Sequence, residues 1–151
     1  MNVSENYISH LNKLLSSYQL HYQNLRALHW NIQGDKFFEL HLKYEELYNA
    51  TLLTIDELAE RILTLGGRPL STFSDYISKS VIKENELIID GNKGMQYILD
   101  AQKQLLIVER ALLKESSEID DEGTNAFISD LIREKEKTNW MFNAWLGNSL
   151  K

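Results

Sequence analysis

An all-α protein built on long helices is the fold that this sequence predicts, and three observations carry the prediction. Proline occurs once, at Pro69, and glycine seven times in 151 residues, so few positions force the chain to turn. Much of the remainder is Leu, Glu, Lys, Asn and Gln, a composition that reads as helix. Apolar residues recur at helical spacing in four blocks. With 43% apolar residues the chain can fill one core, and residues 1–151 are expected to form a single domain.

The first block runs through Ile8, Leu11, Leu15, Tyr18, Tyr22, Leu25, Leu28 and Ile32, one long helix that Gly34 stops. Asp35 is the expected cap of the second helix, which carries Phe37, Leu40, Tyr44, Leu47, Tyr48, Ile55, Leu58, Ile62 and Leu65. Gly66-Gly67-Arg68-Pro69 ends it. The short turn between these helices makes them an antiparallel hairpin. A connection then runs from 70 to about 92, long enough to cross the end of a bundle, with a short helix in the stretch Ser71-Thr72-Phe73-Ser74-Asp75-Tyr76-Ile77 capped by Ser71 or Ser74. A third helix is expected from 94 to 117 and a fourth from about 122 to 146, the latter with Phe127, Leu131, Trp140, Met141 and Trp145. Two hairpins joined by a long crossover describe a ferritin-like four-helix bundle.

Composition excludes several classes of function. The absence of cysteine rules out disulfides and thiolate metal ligands, and no apolar run is long enough for a membrane span or a signal peptide. A cytoplasmic location is the expectation. The formal net charge is −6, and the first ten residues hold Glu5 but no Lys or Arg. Electrostatic binding to DNA relies on cations that displace counterions from phosphates, so direct DNA binding is not expected.

The chemistry-bearing residues are His29, in His29-Trp30-Asn31, His41, and the pair Asp56 and Glu60. The hairpin sets His29 and His41 side by side, and i,i+4 spacing puts both carboxylates on one helix face. Asp56, however, follows His41 by fifteen residues, roughly 22 Å along a helix rising 1.5 Å per residue, whereas metal–ligand bonds are about 2 Å long. One chain cannot close such a site. If two copies pack their second helices antiparallel about a two-fold axis, each histidine pair meets the partner's carboxylate pair. A metal site inside the bundle would use Glu-x-x-His, but the residues three before His10, His21, His29 and His41 are Tyr7, Tyr18, Arg26 and Phe38.

The segments Leu28-His29-Trp30-Asn31, Phe37-Phe38-Glu39-Leu40-His41, Ile55-Asp56-Glu57-Leu58-Ala59-Glu60-Arg61-Ile62, Leu65-Gly66-Gly67-Arg68-Pro69 and Lys137-Thr138-Asn139-Trp140-Met141-Phe142 resemble the Dps family of mini-ferritins over nearly the whole chain. The resemblance implies a hollow dodecamer with iron-oxidising centres between two-fold-related subunits. It implies His29, His41, Asp56 and Glu60 as ferroxidase ligands, Glu45 as an acid that helps hold the second of two irons per site, and Glu60 as a group able to bridge them. Hydrogen peroxide is the implied oxidant, with oxygen the other, and ferric mineral the stored product. Carboxylates and imidazoles suit Fe(II) and stabilise Fe(III) as it forms. Trp30 packs against the site, takes up a stray oxidising equivalent, or serves as an interface aromatic. His10 and His21 belong to no matched motif.

Glu118, Asp120, Asp121 and Glu122 fall where the resemblance implies acidic pores on three-fold axes; the plain reading is that acids favour a helix N-terminus. Many DNA-binding members of the family that the sequence resembles carry a lysine-rich arm, whereas this sequence enters its expected first helix within a few residues and ends Gly147-Asn148-Ser149-Leu150-Lys151, so direct DNA condensation is not expected. Three functions of different class are thus open: an oligomeric ferroxidase and iron store, a nucleoid protein that protects DNA by binding it, and a structural assembly with a vestigial site.

Overall fold

The computed structural model describes residues 2–148, so Ser149-Leu150-Lys151 of the C-terminal stretch read above lie outside the described residues. Five helices and no strand occur among the described residues: α1 (Glu5–Asn31), α2 (Phe37–Thr64), α3 (Phe73–Lys79), α4 (Gly91–Glu118) and α5 (Glu122–Trp145). The chain divides into two compact units between Gly94 and Met95.

In the first unit, Ser4 starts α1 by accepting a hydrogen bond from the Tyr7 amide at 3.1 Å, which satisfies one of the unpaired donors of the first turn. Gly34, at φ 109°, folds the chain back, and the Phe37 amide bonds to the Gly34 carbonyl. Asp35 does not cap α2: it lies inside this turn, and Lys36 holds the capping position without a side-chain bond. The other end of α2 is closed by paired bonds, Gly67 N–H to Ile62 O and Gly66 N–H to Leu63 O, with Gly66 left-handed at φ 86°. α3 is capped by Thr72 rather than by Ser71 or Ser74, since Thr72 Oγ1 accepts from the Asp75 amide.

The connection takes a different path from the one expected. It runs along the length of α1 instead of across the end of the hairpin, and polar side chains of α1 hold it there. Asn12 accepts from the Leu70 amide at 2.9 Å and donates to Arg68 O at 3.0 Å. Ser17 Oγ accepts from Val81 N–H, and Asn24 accepts from Asn85 N–H while donating to Lys83 O at 2.8 Å. The Gln33 amide then bonds to Ile89 O. These buried polar residues interrupt the apolar stripe of α1, because this helix is covered by α2 on one side and by the connection with α3 on another.

α4 starts at Gly91, three residues earlier than expected, because Asp90 accepts from the Lys93 amide and extends the helix backward. Gly94 in its first turn lies against the buried Tyr44 ring, where an added Cβ would collide with the phenol oxygen. In the second unit α4 and α5 run antiparallel. Thr138 donates to Gln102 at 2.9 Å, Lys135 pairs with Glu109 at 2.9 Å, Arg110 with Glu136, and Asn125 donates to Leu113 O. Burial pulls the Lys135 ammonium below its ordinary range, and Glu109 pushes back. Both α4 and α5 end in the bond pair that closes α2, with Asp120 (φ 58°) and Gly147 (φ 78°) in the left-handed position.

The contact at Gly94 makes a direct prediction. Gly94→Ala should destabilise the protein by roughly 1–3 kcal/mol in urea denaturation, the usual cost of overpacking. Tyr44→Phe should remove most of that cost, because the Tyr44 hydroxyl is buried, has no hydrogen-bond partner among the described residues and is the atom in the way. Additive effects would refute the contact. Burial, then the Asp90 carboxylate, raises the Tyr44 phenol from 10.0 to about 12. The unfolded chain therefore loses this proton first, so the associated stability is complete below pH 10.0 and is lost as pH rises through about 12, a loss that Tyr44→Phe should abolish.

Candidate metal centre

His29 sits in the last turn of α1 and His41 in the second turn of α2, so the Gly34 turn brings them together as the sequence predicts. Their rings stack with centroids 3.7 Å apart and planes 15° from parallel. The hydrogen bonding is reciprocal. His29 Nδ1 donates to the His41 carbonyl at 2.6 Å, and His41 Nδ1 donates to the His29 carbonyl at 2.8 Å. A carbonyl only accepts, so both Nδ1 atoms carry a proton, and in the neutral form of each ring it is Nε2 that keeps the lone pair able to bind a metal.

Phe37 stacks on the outer side of His41, with centroids 4.9 Å apart, and Tyr48 stands edge-on to His29 at 5.3 Å. His29 is buried at 7% exposure. Glu45, one turn beyond His41, brings Oε1 to 3.7 Å from His29 Nε2 and keeps its side chain 46% exposed. That gap is wider than a hydrogen bond and near the separation of two ligands sharing one ion at bonds of about 2 Å. His29, His41 and Glu45 are thus brought together, with Glu45 on the solvent side.

Asp56 and Glu60 share an exposed face of α2 far from this group. Among the described residues no set of three or more His, Asp or Glu side chains, the His29, His41 and Glu45 group included, is arranged to hold a metal ion within one chain. The exposed stripe of α2 nevertheless has an order of its own. Phe38 (85% exposed) and Leu63 (48%), His41 and Glu60, and Glu45 and Asp56 lie at equal distances on either side of the Ala50–Thr51 peptide. Leu42 and Leu53 also expose their side chains on this helix.

The acids near α5 separate by role. Asp121 is buried and caps α5 by accepting from the Thr124 amide at 3.2 Å, so for this residue the helix-terminus reading holds. Glu118, Asp120 and Glu122 are exposed, Glu118 lying 4.0 Å from Lys114. Sequence reasoning put Tyr22 and Tyr48 in the apolar stripes and gave Arg26 no place, and so missed that Tyr48 meets His29, Tyr22 meets Tyr48 and Arg26 meets Tyr22. Their offsets carried a signal: Tyr48 is seven residues past His41 and Tyr22 seven before His29, which puts each on its histidine's helix face.

A family model described as a ferritin-like domain matches residues 8–150. The Dps protein of Vibrio cholerae, described as a member of a broad superfamily of ferritin-like diiron-carboxylate proteins, superposes with a TM-score of 0.92 at 51% identity, covering 94% of this chain and 89% of that one. A Dps protein from Bacillus brevis gives 0.92 at 30% identity over 97% and 99% of the two chains. The DNA protection during starvation protein of Porphyromonas gingivalis is 36% identical over 89% of this chain and 85% of its own length. This chain therefore belongs to the ferritin-like family, in its Dps branch.

The reciprocal bonds can be tested by imidazole nitrogen NMR of the metal-free protein above the histidine titration range. Both rings should show Nδ1 protonated and Nε2 bare. An Nε2–H tautomer at either residue would contradict the geometry.

Proposed function

We propose that this protein is a ferroxidase and iron store whose sites are completed between two copies of the chain. The mirrored outer face of α2 is the observation that carries the reading. A two-fold axis through the Ala50–Thr51 peptide, with the two α2 helices antiparallel, sets His41 opposite the partner's acid at position 60 and Glu45 opposite the one at 56, while Phe38 covers the partner's position 63. The exposed apolar side chains on this face, Phe38, Leu42, Leu53 and Leu63, supply surface for such a contact. Each pair of copies then holds two identical sites.

In each site His29 and His41 present Nε2 lone pairs, and Glu45, Asp56 and Glu60 supply hard oxygen donors and the negative charge that favours Fe(III) over Fe(II). Glu60 is placed to bridge two substrate irons. Two Fe(II) give one electron each to hydrogen peroxide, whose oxygen–oxygen bond breaks with uptake of two protons to give two waters, and no hydroxyl radical is released. Each copy of 1–151 is one ferritin-like domain, twelve copies enclose a cavity that stores the ferric product, and the protein acts in the cytoplasm. No described helix is long and apolar enough to cross a membrane. Protection of DNA, named in the Porphyromonas gingivalis relative, is here a consequence of removing iron and peroxide, in keeping with a net charge of −6.

Assembly and complementation test the sharing. Light scattering on the eluted protein should find a dodecamer, and a fully active monomer would overturn the scheme. The double variants His29→Ala/His41→Ala and Asp56→Ala/Glu60→Ala should each lose Fe(II) oxidation by more than the roughly 10–100-fold that changes outside a ligand shell produce. Mixed dimers of the two should recover activity, since one site collects both defects and the other neither. No recovery in verified mixed assemblies would exclude a shared site.

A second measurement separates chemistry from binding. Protection of DNA against iron and peroxide should persist at salt concentrations that abolish electrostatic contacts, and should vanish in an assembled Asp56→Ala/Glu60→Ala shell. Tight DNA binding at moderate salt, with protection retained in that variant, would favour the nucleoid-binding function instead.

A further inference from the structure

The rings around His29 form a series that the ferroxidase reading leaves unused. Tyr48 of α2 stands edge-on to His29 with centroids 5.3 Å apart and planes at 80°. Tyr22 of α1 stands edge-on to Tyr48 at 6.0 Å and 82°. Arg26, one turn along α1, holds its guanidinium carbon 5.2 Å from the Tyr22 centroid and 4.9 Å from that of Trp30. Positions 22, 26 and 30 follow one another at i,i+4 spacing, so a single face of α1 carries the cation between two rings. Trp30 is 56% exposed, whereas both tyrosines are half-buried.

A cation over an aromatic face is held by the electrons of the ring. Oxidation withdraws one of those electrons, so the same cation opposes it. Arg26 lies against Tyr22 and Trp30, and among the described residues no guanidinium or ammonium lies over Tyr48. Of the three oxidisable rings, the one in contact with His29 is the one without a guarding charge.

We propose that Tyr48 is the reserve electron donor of the site, and that Arg26 confines the oxidising equivalent to Tyr48 by making Tyr22 and Trp30 harder to oxidise. This rests on the ferroxidase reading above. It operates when peroxide meets a site that holds a single substrate Fe(II), which supplies one electron where cleavage to water needs two. The phenol of Tyr48 gives the second electron and releases its proton. With one further proton from solvent, the peroxide oxygens leave as two waters, the iron as Fe(III), and Tyr48 remains as a neutral phenoxyl radical. The next Fe(II) to arrive reduces the phenoxyl, which takes up one proton to restore the phenol. Over the cycle two Fe(II) are oxidised for each peroxide, so a half-filled site reaches the same products as a full one.

The test is freeze-quenched electron paramagnetic resonance on the assembled protein, loaded anaerobically with one Fe(II) per site and mixed with hydrogen peroxide. The parent should give a tyrosyl signal whose hyperfine structure narrows when the protein is grown on ring-deuterated tyrosine. That signal should be lost in Tyr48→Phe and kept in Tyr22→Phe. Arg26→Met should move the oxidation to Trp30, read as indole oxidation by mass spectrometry, and Arg26→Lys should return it to tyrosine. A tyrosyl signal that survives in Tyr48→Phe, or a parent that oxidises Fe(II) with peroxide and forms no aromatic radical, overturns the donor role and leaves the ferroxidase reading intact. An unchanged radical in Arg26→Met overturns the guarding role. A parent without peroxide-dependent Fe(II) oxidation overturns both readings.

Discussion

Because α2 runs unbroken for 28 residues, the groups at its two ends are held apart by a ladder of backbone hydrogen bonds that no side-chain motion can shorten. His41 and Glu60 cannot approach one another without melting the helix between them, and each melted turn would strand buried backbone groups. The proposed division of labour between copies is therefore a property of helix geometry before it is one of metal chemistry. The Gly34 turn supplies the complementary constraint, since it brings His29 beside His41 at one end of α2 and leaves Asp56 and Glu60 at the other.

The long helices were legible because their stops are chemical: Gly34 and Gly66 both occupy positive φ, which side chains rarely adopt. The meeting of His29 and His41 was legible too, as their rings stack where the hairpin argument puts them. The caps were less so. Asp35 and Lys36 differ by one position in a tight turn, and Thr72 lies between two serines of equal capping ability, so local preference could not choose among them. The path of the connection was not legible at all. It depends on bonds between residues 56 to 64 positions apart, such as Asn12 with Arg68 and Ser17 with Val81, and no periodicity reports on partners so distant in sequence.

Polar burial explains much of what looked like noise in the helical patterns. Asn12, Ser17 and Asn24 interrupt the apolar stripe of α1, yet each satisfies backbone groups of a connection that has no ladder of its own. In the second unit Glu109 and Lys135 bury opposite charges on facing helices. A one-turn slip between α4 and α5 would separate them and leave each charge exposed to a low-dielectric surrounding, so the pair fixes the register of the hairpin even where its net contribution to stability is small.

The bond from His41 to the His29 carbonyl has a consequence for how such a site ages. That carbonyl lies in the last turn of α1, and the amide that would continue the helix to it, at Gln33, bonds to Ile89 instead. His41 thus finishes a helix as well as belonging to the proposed site, and His29 returns the contact. Asp56 and Glu60 sit on exposed surface. In a lineage that no longer needs iron oxidation, selection on folding alone would continue to hold the two imidazoles in place while the carboxylates drifted. The site would decay from its acidic side first, and a surviving histidine pair would be a record of architecture rather than of activity.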